Sequence, residues 1–336
     1  MHRRLLFLPL ALFAAGCGDP QQQALTDVKG YIQKNLDQLY TSVSALQADA
    51  PAPDADGWNN TADKAAVDKL KADWRQARQA YEHVEGAIAV LFPEYDISTD
   101  ERYDGFVATD ADDDLFDDQG VTGIHAVERI LWSDSIPGPV IEFEQGLPHY
   151  VAAAFPANET QAREFKEKLL VRLVSDVKAM KTQFAPLALD PAAAYRGVIG
   201  SMGEQLEKAR KAATAREESR YAQYTLADMR ANVQAGQDTY NFFRAALLAK
   251  KGGDALDKQI NASFKRLLDQ YATYSGDALP PVPQGFNLNN PSDADLATPF
   301  GQLYKVLTEE ADETREGSLV HAMSESADLL GIERLP

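Results

Sequence analysis

The sequence predicts an all-α fold of packed helical bundles, and three observations predict it. Apolar residues step by three and four through nearly the whole chain, the mark of one buried helical face. No run alternates apolar and polar residues between hairpin signals, so no strand is expected. Two long helical stretches echo each other, with A-D-W-R at 72–75 and A-D-M-R at 227–230. The echo and the 336-residue length suit two similar bundles, joined near residues 186–216.

The elements follow in order. Leu25, Val28, Ile32, Leu36, Leu39, Val43 and Leu46 form the face of a first helix, which the Pro-rich and Asp-rich stretch at 50–58 ends. Val67, Leu70, Trp74, Ala77, Tyr81, Val84, Ile88 and Leu91 predict one continuous second helix from Ala62 to the stop at Pro93. Residues 94–119 read as an acidic connection. A short helix is expected at about 121–133, then further helices at 159–184, 191–213, 217–249 and 254–275. Gly252 and Gly253 stop the fourth of these. Residues 276–298, rich in Pro, Asn and Asp, read as an irregular loop. A final helical region covers 299–330, with a break near Gly317.

The net charge of −18 argues against nucleic acid, because the chain lacks a basic surface to displace phosphate counterions. The first residues read as a leader. His2, Arg3 and Arg4 precede an apolar run at 5–15 that is too short for a stable span. It ends in A-A-G-C, and Cys17 is the single cysteine of the chain. This pattern resembles a bacterial lipoprotein signal, with residues 1–17 as signal and lipidated cysteine and 18–336 as the mature body. Gly18 after the cysteine favours the outer membrane. The expected location is therefore the cell envelope, tethered through the lipid anchor alone.

The chemistry concentrates at 123–132, G-I-H-A-V-E-R-I-L-W. His125 and Glu128 are neighbours on one helical face. Glu128 also lies on the apolar stripe of Ile124, Val127 and Leu131, where a charge needs a partner. Glu82 and Glu85 repeat the spacing on the second helix, and Asp228 opens the stripe of a third. Facing helices that present carboxylates and a Glu/His pair inward are how bundles hold metals. One imidazole with several carboxylates suits iron, manganese or zinc better than soft Cu(I). The alternative reading of these pairs is a set of buried ion pairs.

Other signals are weaker. Asp110, Asp112 and Asp114 fill three positions of an EF-hand string. Leu115 and Val121 then stand where that loop needs Gly and Glu, so an EF-hand is rejected. The loop is read as solvated, with weak cation capture as the alternative. H-E-x-x-H, G-x-S-x-G and P-loop motifs are absent from the sequence. His83 is a spare ligand or a surface residue, and His149 and His321 are read as structural or exposed. Tyr221, Tyr224, Tyr240, Phe242 and Phe243 are read as core, and Tyr271 and Tyr274 as core or rim.

The combined motifs resemble the imelysin-like family, including the periplasmic iron-binding component of Efe-type iron-uptake systems. The family's G-x-H-x-x-E stands here as Gly123, His125 and Glu128, followed by Trp132. Its upstream string appears as A-R-Q-A-Y-E-H-V-E at 77–85, and its D-x-R-x-D as Asp100, Arg102 and Asp104. Its later helix appears at 221–236, keeping Asp228, Ala231, Asn232 and Val233 but with Gln223 in place of a histidine. The resemblance implies two four-helix bundles with a metal site between helices. It carries over His125 and Glu128, with Glu82, Glu85 and Asp228 as further ligands or supporting carboxylates. His83, Asp100 and Asp104 are auxiliary candidates. The stretch between Cys17 and Pro51 reads as a helix, so the form expected is the one lacking a cupredoxin-like domain.

The function expected is capture of a metal cation for uptake, iron first, with zinc, manganese or copper as alternatives. Expected partners are the cation and an iron permease or outer-membrane receptor. Two other readings stand beside it. One is a metal-dependent peptidase, after the family's insulin-cleaving member. The other is a glycan-binding or protein-binding surface lipoprotein.

Overall fold

The computed structural model describes residues 19–59 and 61–333; the leader and Cys17 lie outside them. Among the described residues all regular structure is helical, and no helix is long and apolar enough to cross a membrane.

Helix α1 (Pro20–Asp49) starts where the Asp19 carboxylate accepts the Gln21 amide at 3.0 Å and Pro20 supplies a preset first turn. Its apolar face matches the expected stripe. The second stretch is not one helix. It forms α2 (Lys64–Glu82) and α3 (Glu85–Leu91), separated by a turn at His83 and Val84. Neither Gly nor Pro marks this break. Its counterpart in the packing is Gly86 of α3 against Gly197, where a Cβ added on Gly197 would lie 2.1 Å from the Gly86 carbonyl. Such an approach sets the direction of α3 by backbone contact, which overrides a continuous apolar stripe.

The acidic connection also holds structure: α4 (Pro93–Asp100) and α5 (Tyr103–Val107) precede the loop that leads to α6 (Gly123–Leu131). Helix α7 (Gly138–Glu144) follows. The expected 159–184 helix is α8 (Glu159–Glu164), a π-helical turn at Phe165–Leu169, and α9 (Leu170–Phe184). Next come α10 (Pro191–Ala212) and α11 (Thr225–Leu248). Residues 217–224, expected as the start of that helix, form a turn with Gln223 at φ +53°. The remaining helices are α12 (Gly253–Ala272), a single turn α13 (Asp293–Leu296) inside the expected loop, α14 (Pro299–Glu310) and α15 (Leu319–Leu330). The last two are separated around Gly317, as its position suggested.

Two apolar cores result. One gathers Leu39, Val43 and Leu46 of α1, Leu70 and Trp74 of α2, Ile124, Val127 and Leu131 of α6, and Phe165 and Leu173. The other gathers Val28, Ile32 and Leu36 of α1 with Tyr195, Val233, Phe243, Phe264, Leu307 and Met323. Helices α1 and α9 run through both cores, and α10, in the stretch expected as the join, packs inside the second. Between the cores lies a layer of charged side chains carried by α2, α3, α4, α6, α10, α11 and the 217–224 turn.

Candidate metal centre

Helix α6 reaches this layer because its first residue is glycine. Gly123 sits at φ +88°, and a Cβ there would lie 2.5 Å from the Thr99 carbonyl. The close approach brings α6 against the end of α4, where Asp100 stands. The Trp74 indole N–H donates to the Ile124 carbonyl at 2.8 Å and fixes the first turn from the α2 side.

His125 and Glu128 are fully buried and face each other, with Nδ1 2.6 Å from Oε2. Glu128 Oε1 accepts the backbone N–H groups of Tyr221 at 2.9 Å and Ala222 at 2.8 Å. A carboxylate held this way accepts the Nδ1 proton, so the lone pair of the ring is on Nε2. Burial pushes the Glu128 carboxyl up; the His125 contact and the Ala222 amide pull it back. Burial pushes His125 down, favouring the neutral ring. Nε2 is buried without a hydrogen bond and lies 3.4 Å from Asp100 Oδ1.

Two cations are built into the layer. Arg78 of α2 is fully buried and pairs with Glu82 and Asp100, with Glu218 at 2.9 Å and with Asp228 at 3.2 Å. Lys208 of α10 stands 3.1 Å from Glu82, 3.3 Å from Glu85 and 2.6 Å from Glu218. Glu85 also accepts the Asn232 amide at 2.7 Å, and Asp228 accepts the Ser219 hydroxyl. The carboxylates outnumber these cations. Burial, with Glu218 and Glu82 nearby, raises Asp100 to about 7 despite Arg78. Burial, with Glu82 and Glu218 nearby, raises Asp228 to about 8. Glu85 is pushed well up by burial and Glu82. Glu218 goes the other way: burial opposes its charge, but Lys208 and Arg78 outweigh burial and hold it well below the usual range.

Two groups of side chains can each place three ligand atoms within 4.8 Å of one another: Asp100, His125 and Glu218, and Glu82, Glu85 and Glu218. The second already encloses the Lys208 ammonium. The first has the buried Nε2, which makes no hydrogen bond, while its carboxylates are ion-paired: Asp100 and Glu218 Oε1 with Arg78, and Glu218 Oε2 with Lys208 at 2.6 Å. One imidazole and two carboxylates form a borderline-hard donor set that fits iron, manganese or zinc. A groove of about 470 Å³, lined by Asp100, Glu101, Glu204, Lys208 and Glu218, opens this layer to the surface.

The sequence-predicted residues divide accordingly. His125 and Asp100 meet at the first group. Glu128 stands behind His125 and orients it. Glu82 and Glu85 face Lys208, and Asp228 lies beside Arg78 with Oδ1 buried and unbonded. His83 turns away, its Nδ1 2.7 Å from the Tyr31 hydroxyl. Asp104 accepts from Arg220 at 2.8 Å instead of joining the layer. The loop carboxylates stay apart: Asp114 and Asp117 cap the amides of Phe116 and Gln119, and Asp112 is buried. Tyr221 is more than core, since its hydroxyl donates to Glu144, which also binds Arg129 and Arg220. That network locks the 217–224 turn.

Glu218, Arg78 and Lys208 were not singled out from the sequence. Arg78 carried the one usable signal, its i,i+4 relation to Glu82. Glu218 sits in R-E-E-S-R, where no periodicity or spacing marks it.

A family model described as imelysin, and labelled a peptidase, matches residues 28–313. Among solved structures, the crystal structure of an imelysin-like protein from Psychrobacter arcticum 273-4 covers 94% of this chain and 97% of its own, at TM-score 0.62 and 11% identity. That likeness is one of fold. The search of curated proteins found no match.

Proposed function

The chain belongs to the imelysin family, and on that premise we propose that it captures a transition-metal cation, iron first, at Asp100, His125 and Glu218. The observation that carries this reading is His125 Nε2: fully buried, without a hydrogen bond, and left with its lone pair by the Glu128 contact at Nδ1. A carboxylate, an imidazole and the metal in line is the usual way a protein orients a histidine ligand. The acidic groove raises the local cation concentration at the mouth. A cation that binds must displace the proton that burial favours on Asp100, so capture is coupled to proton release.

We place the protein in the cell envelope, anchored through Cys17, with the outer membrane favoured, and passing its metal to a permease or receptor. Elemental analysis and calorimetric titration of the purified protein test the capture reading. Tight binding of one cation, lost in a helical His125→Ala variant, supports it; failure of the unaltered protein to bind sinks it. Impaired growth of a deletion strain on limiting iron supports the uptake role, and normal growth and uptake count against it. The peptidase label favours a second reading, in which the same residues activate water at the groove. Absence of metal-dependent cleavage of a mixed peptide library removes it.

A further inference from the structure

The group that the metal does not take has its own cation. Lys208 Nζ lies 3.1 Å from Glu82 Oε2, 3.3 Å from Glu85 Oε2 and 2.6 Å from Glu218 Oε2, and its side chain is 7% exposed. Those carboxylates form a metal-type group in their own right. Glu218 belongs to both groups, so the two positions share a ligand. Glu218 Oε2 is buried and pairs with Nζ, while Glu218 Oε1 pairs with Arg78 at 2.9 Å. The ammonium is thus enclosed by three carboxylates.

We propose that Lys208 fills the second position of what is otherwise a paired cation site, and so holds the protein to one metal ion. Arg78 pairs with Glu82 and Glu218; without the Lys208 ammonium as well, the three carboxylates Glu82, Glu85 and Glu218 share that one cation in a low-dielectric layer. A tethered ammonium supplies that charge without competing for the His125 lone pair, and its flexible stem reaches in from the groove wall. The identity of the exogenous cation rests on the reading above; the existence of the second position does not.

The test compares the unaltered protein with Lys208→Met by calorimetric titration with Mn²⁺, with helicity followed by circular dichroism. The expected result is one ion for the unaltered protein, two for Lys208→Met, and one again for Lys208→Met combined with Glu85→Gln. One ion at unaltered affinity in Lys208→Met overturns the inference and leaves the His125 reading standing. No ion in the unaltered protein but one in Lys208→Met supports the inference and removes that reading. No binding by either removes both. If Lys208→Met does not fold alone, Mn²⁺ restores its helicity and K⁺ does not; failure of Mn²⁺ to do so overturns the inference.

Discussion

Replacing Glu128 by glutamine isolates what the motif carboxylate does. The glutamine carbonyl oxygen keeps both backbone bonds, from Tyr221 at 2.9 Å and Ala222 at 2.8 Å. The remaining atom is then an NH₂ group facing His125 Nδ1, 2.6 Å away in the unaltered protein. An NH₂ donates, so Nδ1 must accept, and the ring proton moves to Nε2. The atom that should meet the metal is then protonated. Removal of such an outer partner costs about 10–100-fold in metal affinity, or about 1.4–2.7 kcal/mol. Volume and backbone bonds are retained, so helicity should not change. Calorimetry gives the affinity, and ¹⁵N spectra of the imidazole give the tautomer. Unaltered affinity with the proton still on Nδ1 refutes the orienting role. A loss as complete as that of His125→Ala makes Glu128 a ligand itself.

Further outcomes follow from the same geometry. Gly123→Ala, at φ +88° with a carbonyl 2.5 Å from the new Cβ, should cost about 2–3 kcal/mol in urea unfolding. Gly138→Ala, with no atom within 4 Å, should stay within about 0.5 kcal/mol. Metal affinity should rise from pH 6 to 8 as Asp100, near 7, loses its proton. Titrations in buffers of different ionisation enthalpy should then show proton release, and pH-independent affinity would contradict this. Away from the site, Arg244 and then Tyr240 hold Asp257 below its ordinary range. A depressed carboxyl stabilises the fold above its unfolded value of about 4 and loses that contribution as pH falls through the folded value. Asp257→Asn should therefore cost about 1–2 kcal/mol at pH 7, with the difference vanishing in acid; an equal deficit at both extremes would deny the charge its role.

The helical fold was legible because its signals are local. Asp19 and Pro20 start α1, Gly252 stops the helix before it, and Gly317 sits in the break between α14 and α15. The His125 and Glu128 pair was legible for the same reason, one helical turn being a sequence-local distance. What was missed is tertiary. The turn at His83 and Val84 lies where α3 packs on α10, with Gly86 close to Gly197, and no breaker residue announces it. The same turn gives Glu82 and Glu85 to Lys208 rather than to His125. Glu218 reaches the centre because the turn around it is anchored through Tyr221, Arg220 and Glu144, contacts that span up to 77 positions. A spacing rule cannot register a ligand delivered by a loop.

Glu218 is therefore the residue on which to test the account. Metal content and calorimetric titration of Glu218→Gln, beside the unaltered protein and with helicity confirmed, is the most direct measurement. The account predicts one tightly bound cation in the unaltered protein and its loss in the helical variant, although Gly123, His125 and Glu128 are all intact. Equal binding by both proteins would place the metal elsewhere, and binding by neither would leave the buried layer a purely structural charge network.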